Sequence, residues 1–396
     1  MPRTRYAVAP LLLLLPLLLV AAGRAQDAES EGWTLPFSLD ALFAPPSAAE
    51  IEGVRKAWLA RDLRAADATV VEVEPYDLGR VRGEIRIVSH RVHGSLHYGA
   101  VIVPGGAAPR SCAVIVDAKG VSWDYFPRNL DSPPGAVVAA ASDQAKYVTF
   151  VPGYRGERLI LGNRTFLSEG DRTDVWDGAA DDAIAFLTAA LRVTPEADPE
   201  RIGIFGRSRG GTVALLAGAR DPRIRAVVAW AAPTDHFTPR IEQSGWARRE
   251  SVELGLRHES PPSAVGGQFI ELFLRGAIAR KHELGDVRRH LLAGSPLYFA
   301  DTLPATQIHY GEDDRIVPQR NGRELARRRP DADAHFYPRH GHDTDSATAY
   351  RLTGAFFAKM LLAPTPGATA GRTGLAKNAS RHALRVPSDT KVRRTR

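Results

Sequence analysis

The run Gly206-Arg207-Ser208-Arg209-Gly210-Gly211 constrains this chain more than any other stretch, because apolar residues precede it at 202–205 and small, apolar residues follow at 212–219. That order reads as strand, sharp turn, helix. A serine on such a turn is driven into a strained backbone conformation with its hydroxyl exposed. Glycines are needed around it because side chains there would collide with the neighbouring strand and helix. Ser208 is thus a candidate nucleophile, and its competing reading is a helix N-cap, a position serine favours.

Two further residues complete a triad in the order serine, acid, histidine. Residues 306–310 read as a strand that ends in Gly311-Glu312-Asp313-Asp314-Arg315-Ile316-Val317-Pro318, a turn expected to start the next helix at Pro318. Asp314 is the first candidate for the acid and Asp313 the second. Residues 334–337 read as the following strand and lead into Pro338-Arg339-His340-Gly341-His342-Asp343, where His342 is the preferred base and His340 the alternative. In doubly wound sheets ligands bind beyond the carboxyl ends of the strands, so the three candidates would share one rim. On the plainer reading Asp314 caps a helix and the histidines are solvated. His340, His342, Asp343 and Asp345 are close enough in sequence to suggest a metal site, but nothing else in the chain has the spacing to complete one. Neither a metal nor a cofactor is expected.

Residues 82–362 resemble the catalytic α/β-hydrolase domain of the prolyl oligopeptidase family of serine peptidases. Val151-Pro152-Gly153-Tyr154-Arg155-Gly156 is similar to the family's tyrosine-arginine-glycine turn after a central strand. Asp174-Val175-Trp176-Asp177-Gly178, leading into Asp181-Asp182-Ala183-Ile184, resembles the helix before the nucleophile strand, and Asp198-Pro199-Glu200-Arg201-Ile202-Gly203-Ile204-Phe205-Gly206 resembles that strand. Ser295-Pro296-Leu297-Tyr298-Phe299-Ala300 is similar to the segment leading into the acid-bearing strand. Residues 311–318 match G-x-x-D-x-x-V-P, and Tyr337-Pro338 with Gly341 before His342 resembles the histidine loop. The likeness implies an α/β-hydrolase fold, a mostly parallel doubly wound sheet with an inserted cap, and cleavage of short peptides.

The sequence departs from that family in two places. Where members carry His-Gly-Gly after an early strand, this chain has Asp117-Ala118-Lys119-Gly120. The residues before the hydrolase-like core are also too few for a β-propeller. The expected chemistry has His342 as general base and then acid, with Asp314 orienting its imidazole. Backbone N–H groups of Arg209 and of Ala118, or Lys119 in its place, would form the oxyanion hole, where one donor is typically worth roughly 3–4 kcal/mol. The side chains of Arg207 and Arg209 either anchor an anionic substrate group or leave the pocket along the turn.

Residues 1–25 combine a basic start (Arg3, Arg5), an apolar run at 11–22 and small residues at Gly23 and Ala25, the pattern of a signal peptide cleaved near Ala25. Pro16 interrupts the run, which falls short of the about 20 apolar residues that a membrane span needs. A secreted or periplasmic destination follows. Cys112 is the only cysteine, so no intramolecular disulfide is possible and stability must come from the core. The first 25 residues carry a net +3 and residues 367–396 a net +7, so of the chain's formal +7 the body between them holds −3. A nucleic-acid partner would require a basic stripe on the fold itself, and none is expected. Residues 363–396 read as a disordered basic tail.

Residues 48–63 read as an amphipathic helix in an N-terminal extension (26–81) packed on the core, followed by strands at 68–74, 83–92 and 96–103, antiparallel at the start of the sheet. Parallel strands are expected near Ala113, Tyr147, Arg201, Arg225, Thr306 and Ala334. The spacing breaks between Pro233 and Pro304, an insertion with a helix expected over 268–284, read as a cap whose Trp246, Phe269 and Phe273 line the substrate pocket. Three functions fit: a serine hydrolase cutting short peptides, a carboxylesterase acting on small esters, and a silent binding protein on the same scaffold.

Overall fold

The computed structural model describes residues 34–77, 82–120, 127–139, 143–171, 174–237, 256 and 274–363. It begins with helices α1 (Leu39–Leu42) and α2 (Ala48–Leu59). Ser47 starts α2 through a reciprocal capping box with Glu50. The helix ends four residues short of the expected boundary, because Arg61 turns out to reach Asp177 and Asp181 while Arg64 folds back on Asp62 through its backbone N–H and guanidinium.

The strands are β1 (Ala66–Asp77), β2 (Arg82–Val92), β3 (Ser95–Pro104), β4 (Cys112–Ala118), β5 (Arg128–Asn129), β6 (Tyr147–Pro152), β7 (Arg158–Leu161), β8 (Arg164–Leu167), β9 (Ala197–Arg207), β10 (Ile224–Trp230), β11 (Ala305–Gly311) and β12 (Asp333–Tyr337). Nine of them form one sheet in the order β1-β2-β3-β6-β4-β9-β10-β11-β12. The pairings β1–β2, β2–β3 and β3–β6 are antiparallel, and every pairing from β6 to β12 is parallel. The expected antiparallel start and parallel remainder are both present. A second sheet, β5-β7-β8, was not anticipated from sequence. Its β7–β8 hairpin turns on Gly162, with φ of 57°, beside Asn163, a Gly-Asn pair of the kind that marks tight hairpins.

The remaining helices are α3 (Gly135–Ala139), α4 (Asp177–Val193), α5 (Arg209–Arg220), α6 (Arg275–Ile278), α7 (Leu284–Ala293), α8 (Arg320–Arg328) and α9 (Ser346–Phe357). Alternation along the central strands splits the core in two. Val114 and Val116 of β4 with Ile202 and Ile204 of β9 face α4 and α5, whereas Ala113, Ile115 and Phe205 face Trp230, Phe356 and Phe357 on the other side. Covering both faces is what a parallel sheet requires, since neither face can be left to water.

The expected helix over 268–284 is not continuous within its described part. Only α6 and the start of α7 are helical there, because Arg280 adopts a left-handed φ of 58° and Glu283 opens a new capping box with Asp286. The inserted segment then docks on the N-terminal helices. Arg288 of α7 binds the Glu50 carboxylate at 2.7 and 3.0 Å and donates to the carbonyls of Ala41, Leu42 and Ala44.

The hydrogen bond from Arg288 holds the Glu50 carboxyl down at about 2, against an ordinary 4.5. The stabilisation from this pair is therefore complete above pH 4.5 and lost as pH falls through about 2. Glu50→Gln is expected to lower thermal stability at pH 7 by roughly 1 kcal/mol, with the deficit shrinking across that window in thermal melts. Gly53 sits on the exposed face of α2, with nothing within 4 Å of where a β-carbon would stand. Gly53→Ala should stabilise the protein by about 0.5–1 kcal/mol in denaturant titrations.

Candidate active site

Ser208 lies between β9 and α5 with φ of 55° and ψ of −126°, a conformation a side chain resists. It is held there from both sides. Its N–H donates to the Trp230 carbonyl at 2.8 Å, and its carbonyl accepts from Gly211 and Thr212 as α5 begins. Ser208 does stand at the N-cap position of α5, but its hydroxyl makes no capping hydrogen bond and is not spent on the helix. The turn also needs its glycines. A β-carbon on Gly206 would stand 2.0 Å from the Gly210 oxygen, and one on Gly210 would stand 2.1 Å from the Ala118 oxygen.

The turn after β11 and the loop after β12 bring Asp314 and His342 together. His342 Nδ1 lies 2.8 Å from Asp314 Oδ2, while Asp314 Oδ1 accepts the backbone N–H groups of Ile316 and Val317 at 2.8 and 2.9 Å. Those bonds fix the carboxylate in its own turn, and the helix expected at Pro318 starts instead at Arg320, the first residue of α8. With Asp314 as acceptor, Nδ1 carries the hydrogen and Nε2 is the nitrogen left to act as a base. Asp313 is exposed, and His340 turns its Nδ1 to the Pro338 carbonyl. The four residues that suggested a metal go separate ways: Asp345 caps α9 at Thr348, and Asp343 pairs with Arg207.

Ser208 and His342 line one cavity of about 370 Å³, together with Asp117, Ala118, Gly120, Arg128, Gly135, Phe205, Arg207, Ile316 and Tyr350. Ala118, one of the expected oxyanion positions, is thus at the site. The Arg209 side chain is not. It is buried against Glu157 at 2.6 Å and over the Tyr154 ring, with Lys119 on the other Glu157 oxygen at 3.1 Å. Burial alone would raise the Glu157 carboxyl, but the charges of Arg209 and Lys119 hold it below its ordinary range. Arg207 does reach the cavity, donating to the His342 carbonyl at 3.3 Å and to the Asp343 carboxylate. Trp246, Phe269 and Phe273 lie outside the described residues, and no described residue between 233 and 304 lines this cavity.

Sequence reasoning missed Asp117, Arg128, Glu157 and Tyr350. Glu157 had a usable signal, two residues beyond the Tyr154-Arg155 pair, and Asp117 stands in the Asp117-Ala118-Lys119-Gly120 stretch that sequence had singled out for its backbone alone. Arg128 and Tyr350 come from segments far from the elbow in sequence.

Residues 173–244, the stretch from α4 through the elbow to just past β10, match the family model for acetyl xylan esterase (AXE1). Among solved structures, acetyl xylan esterase 1 from Thermoanaerobacterium sp. JW/SL YS485 is similar with a TM-score of 0.50 at 17% identity, over 84% of this chain and 96% of that one. An acetyl xylan esterase from Paenibacillus sp. R4 gives 0.48 at 18% identity, over 82% and 97%. The Pyrococcus horikoshii acylaminoacyl peptidase gives 0.47 at 14%, over 76% of this chain and 51% of that one. No curated protein matches the chain. The fold is that of the α/β-hydrolases. The matching family model is an esterase model and not one of the prolyl oligopeptidase family.

Because Gly206 faces backbone and not a flexible side chain, Gly206→Ala should distort the elbow and cost about 3 kcal/mol of stability. Urea titration of the two alanine variants at Gly206 and Gly53 would check this, since their effects should have opposite signs.

Proposed function

We propose that this chain is a serine esterase that cleaves small acyl esters through a covalent acyl-enzyme. The observation that carries the proposal is the strained Ser208 facing the same cavity as an imidazole already oriented by a fixed carboxylate. His342 takes the Ser208 proton as the hydroxyl attacks the ester carbonyl, and the oxygen of the tetrahedral intermediate takes up negative charge. The Arg209 backbone N–H, first in α5, is one donor to that oxygen, and the backbone at Ala118 is the second. The protonated His342 then gives its proton to the departing alcohol. A water activated by His342 releases the acid in the reverse sequence.

Ester specificity is supported by the acetyl xylan esterase match over the segment that carries the elbow. The inserted segment between Pro233 and Pro304, with Trp246 and Phe273, shapes acceptance of the acyl group or the alcohol. The basic start and apolar run of residues 1–25 support export of the protein, with cleavage near Ala25. Among the described residues no helix is long and apolar enough to cross a membrane.

His342→Ala and Asp314→Asn are expected to lower kcat on a short-chain aryl ester by roughly 10⁴-fold, while Asp313→Asn and His340→Ala change it by less than about tenfold. Steady-state kinetics on an acyl-length series and on matched peptide amides tests the substrate class. Higher kcat/KM on acetyl and propionyl esters than on any amide is expected, and faster amide cleavage would favour the peptidase reading. An unaltered chain-length preference in both Trp246→Ala and Phe273→Ala would count against the pocket role of those residues.

A further inference from the structure

Among the described residues four cations stand near the elbow, and two of them are turned away from the cavity. Arg209 and Lys119 share the Glu157 carboxylate. The other two, Arg128 and Arg207, line the cavity that holds Ser208 and His342. Arg128 uses one nitrogen, Nη2, on the buried Asp117 at 2.6 Å, and the second Asp117 oxygen accepts the Ala136 N–H at 2.6 Å. This anchors Arg128 at the wall, with its Nε and Nη1 making no hydrogen bond among the described residues. Arg207 likewise engages only Nη2, with the His342 carbonyl and with Asp343. The Asp343 side chain is 85% exposed, so that ion pair stands in water and is weak enough for a buried anion to compete with it.

Tyr350 closes the same wall, its ring packed on Trp230 and Phe205. Its hydroxyl makes no hydrogen bond among the described residues. Burial raises its pKa, and the charges of Asp117, Arg207 and Arg128 all act on it, so the phenol stands within the field of both guanidiniums and is a neutral donor at physiological pH. A second uncommitted donor type thus accompanies two cations on one cavity wall. An acetyl group uses none of these donors.

On the reading of the chain as an esterase, we propose that its preferred substrate carries a carboxylate close to the scissile ester, bound by the free edges of Arg128 and Arg207 with the Tyr350 hydroxyl as a third donor. Guanidinium groups match a carboxylate in geometry and charge, and such hydrogen bonds are about twice as strong as neutral ones. The carboxylate can belong to the acyl part, as in a half-ester of a dicarboxylic acid, or to the alcohol part, as in an acylated acidic sugar.

Two matched pairs of substrates test the inference on the full chain. The 4-nitrophenyl half-ester of glutaric acid against 4-nitrophenyl pentanoate probes the acyl side, and 4-acetoxybenzoate against its methyl ester probes the alcohol side. Within at least one pair the charged member should have a kcat/KM at least about tenfold higher, and the ratio should fall as ionic strength rises. Arg207→Gln, Arg128→Gln and Tyr350→Phe should each reduce that ratio, Arg207→Lys should retain part of it, and Arg207→Glu should invert it. Since each ratio is taken within one preparation, a loss of folded or active protein in any variant cancels. Ratios near one or below in both pairs, with the neutral esters turned over, would overturn the carboxylate subsite and leave the esterase standing. No turnover of any of the four esters would overturn both.

Discussion

The left-handed backbone of Ser208 is the constraint around which the fold is organised. A residue in that conformation persists only where its surroundings over-determine it, and here three elements do so. β10 receives the Ser208 N–H through the Trp230 carbonyl, α5 begins on the Ser208 carbonyl, and the Ala118 carbonyl at the end of β4 rests where a side chain on Gly210 would have to go. Thr212 fastens the first turn of α5 to the Pro233 carbonyl at 2.6 Å. The order β4-β9-β10 at the centre of the sheet, with all three strands ending on the same rim, is what makes the turn possible.

Charge does much of the remaining positioning, and it does so from buried pairs. Asp177 and Asp181 on α4 each accept from Arg61 and from Arg220, joining the end of α2 to the last turn of α5. Arg220 also complements the negative end of the α5 dipole. Arg155 is held by Asp182 through its backbone N–H and its guanidinium, and Tyr154 beside it carries Arg209 on its ring. Buried ion pairs add little net stability against apolar packing, because desolvation offsets much of their attraction. Their effect here is directional, fixing the helix behind Ser208 and drawing the Arg209 side chain away from the cavity.

The parallel strands and the elbow were legible in the sequence because each depends on a short local pattern: alternation, a strand-end turn, glycines beside a serine. Asp314 and His342 could be placed past successive strand ends for the same reason, although choosing them over Asp313 and His340 leaned on the family resemblance. The end of α2 was not legible, since it is set by Arg61 reaching Asp177 and Asp181 more than 100 residues later in the chain. Nor was the break after α6, where Arg280 takes a left-handed φ without a glycine to announce it. The cavity wall was the least legible part. Arg128, Tyr350 and Asp117 come from β5, α9 and β4, and only the folded sheet brings them to one place. Even the role of Arg207 and Arg209 was undecidable in sequence, where both flank Ser208 alike. The fold sends Arg209 to Glu157 and leaves Arg207 at the cavity.

The central claim is that Ser208 forms a covalent bond with the substrate's acyl group. Its most direct test is to react the full chain with a fluorophosphonate and locate the adduct by peptide mass spectrometry, with a Ser208→Ala variant treated in parallel. A single adduct on Ser208, absent from the variant, is the predicted result. An adduct on any other residue, or equal labelling of the variant, would contradict the account.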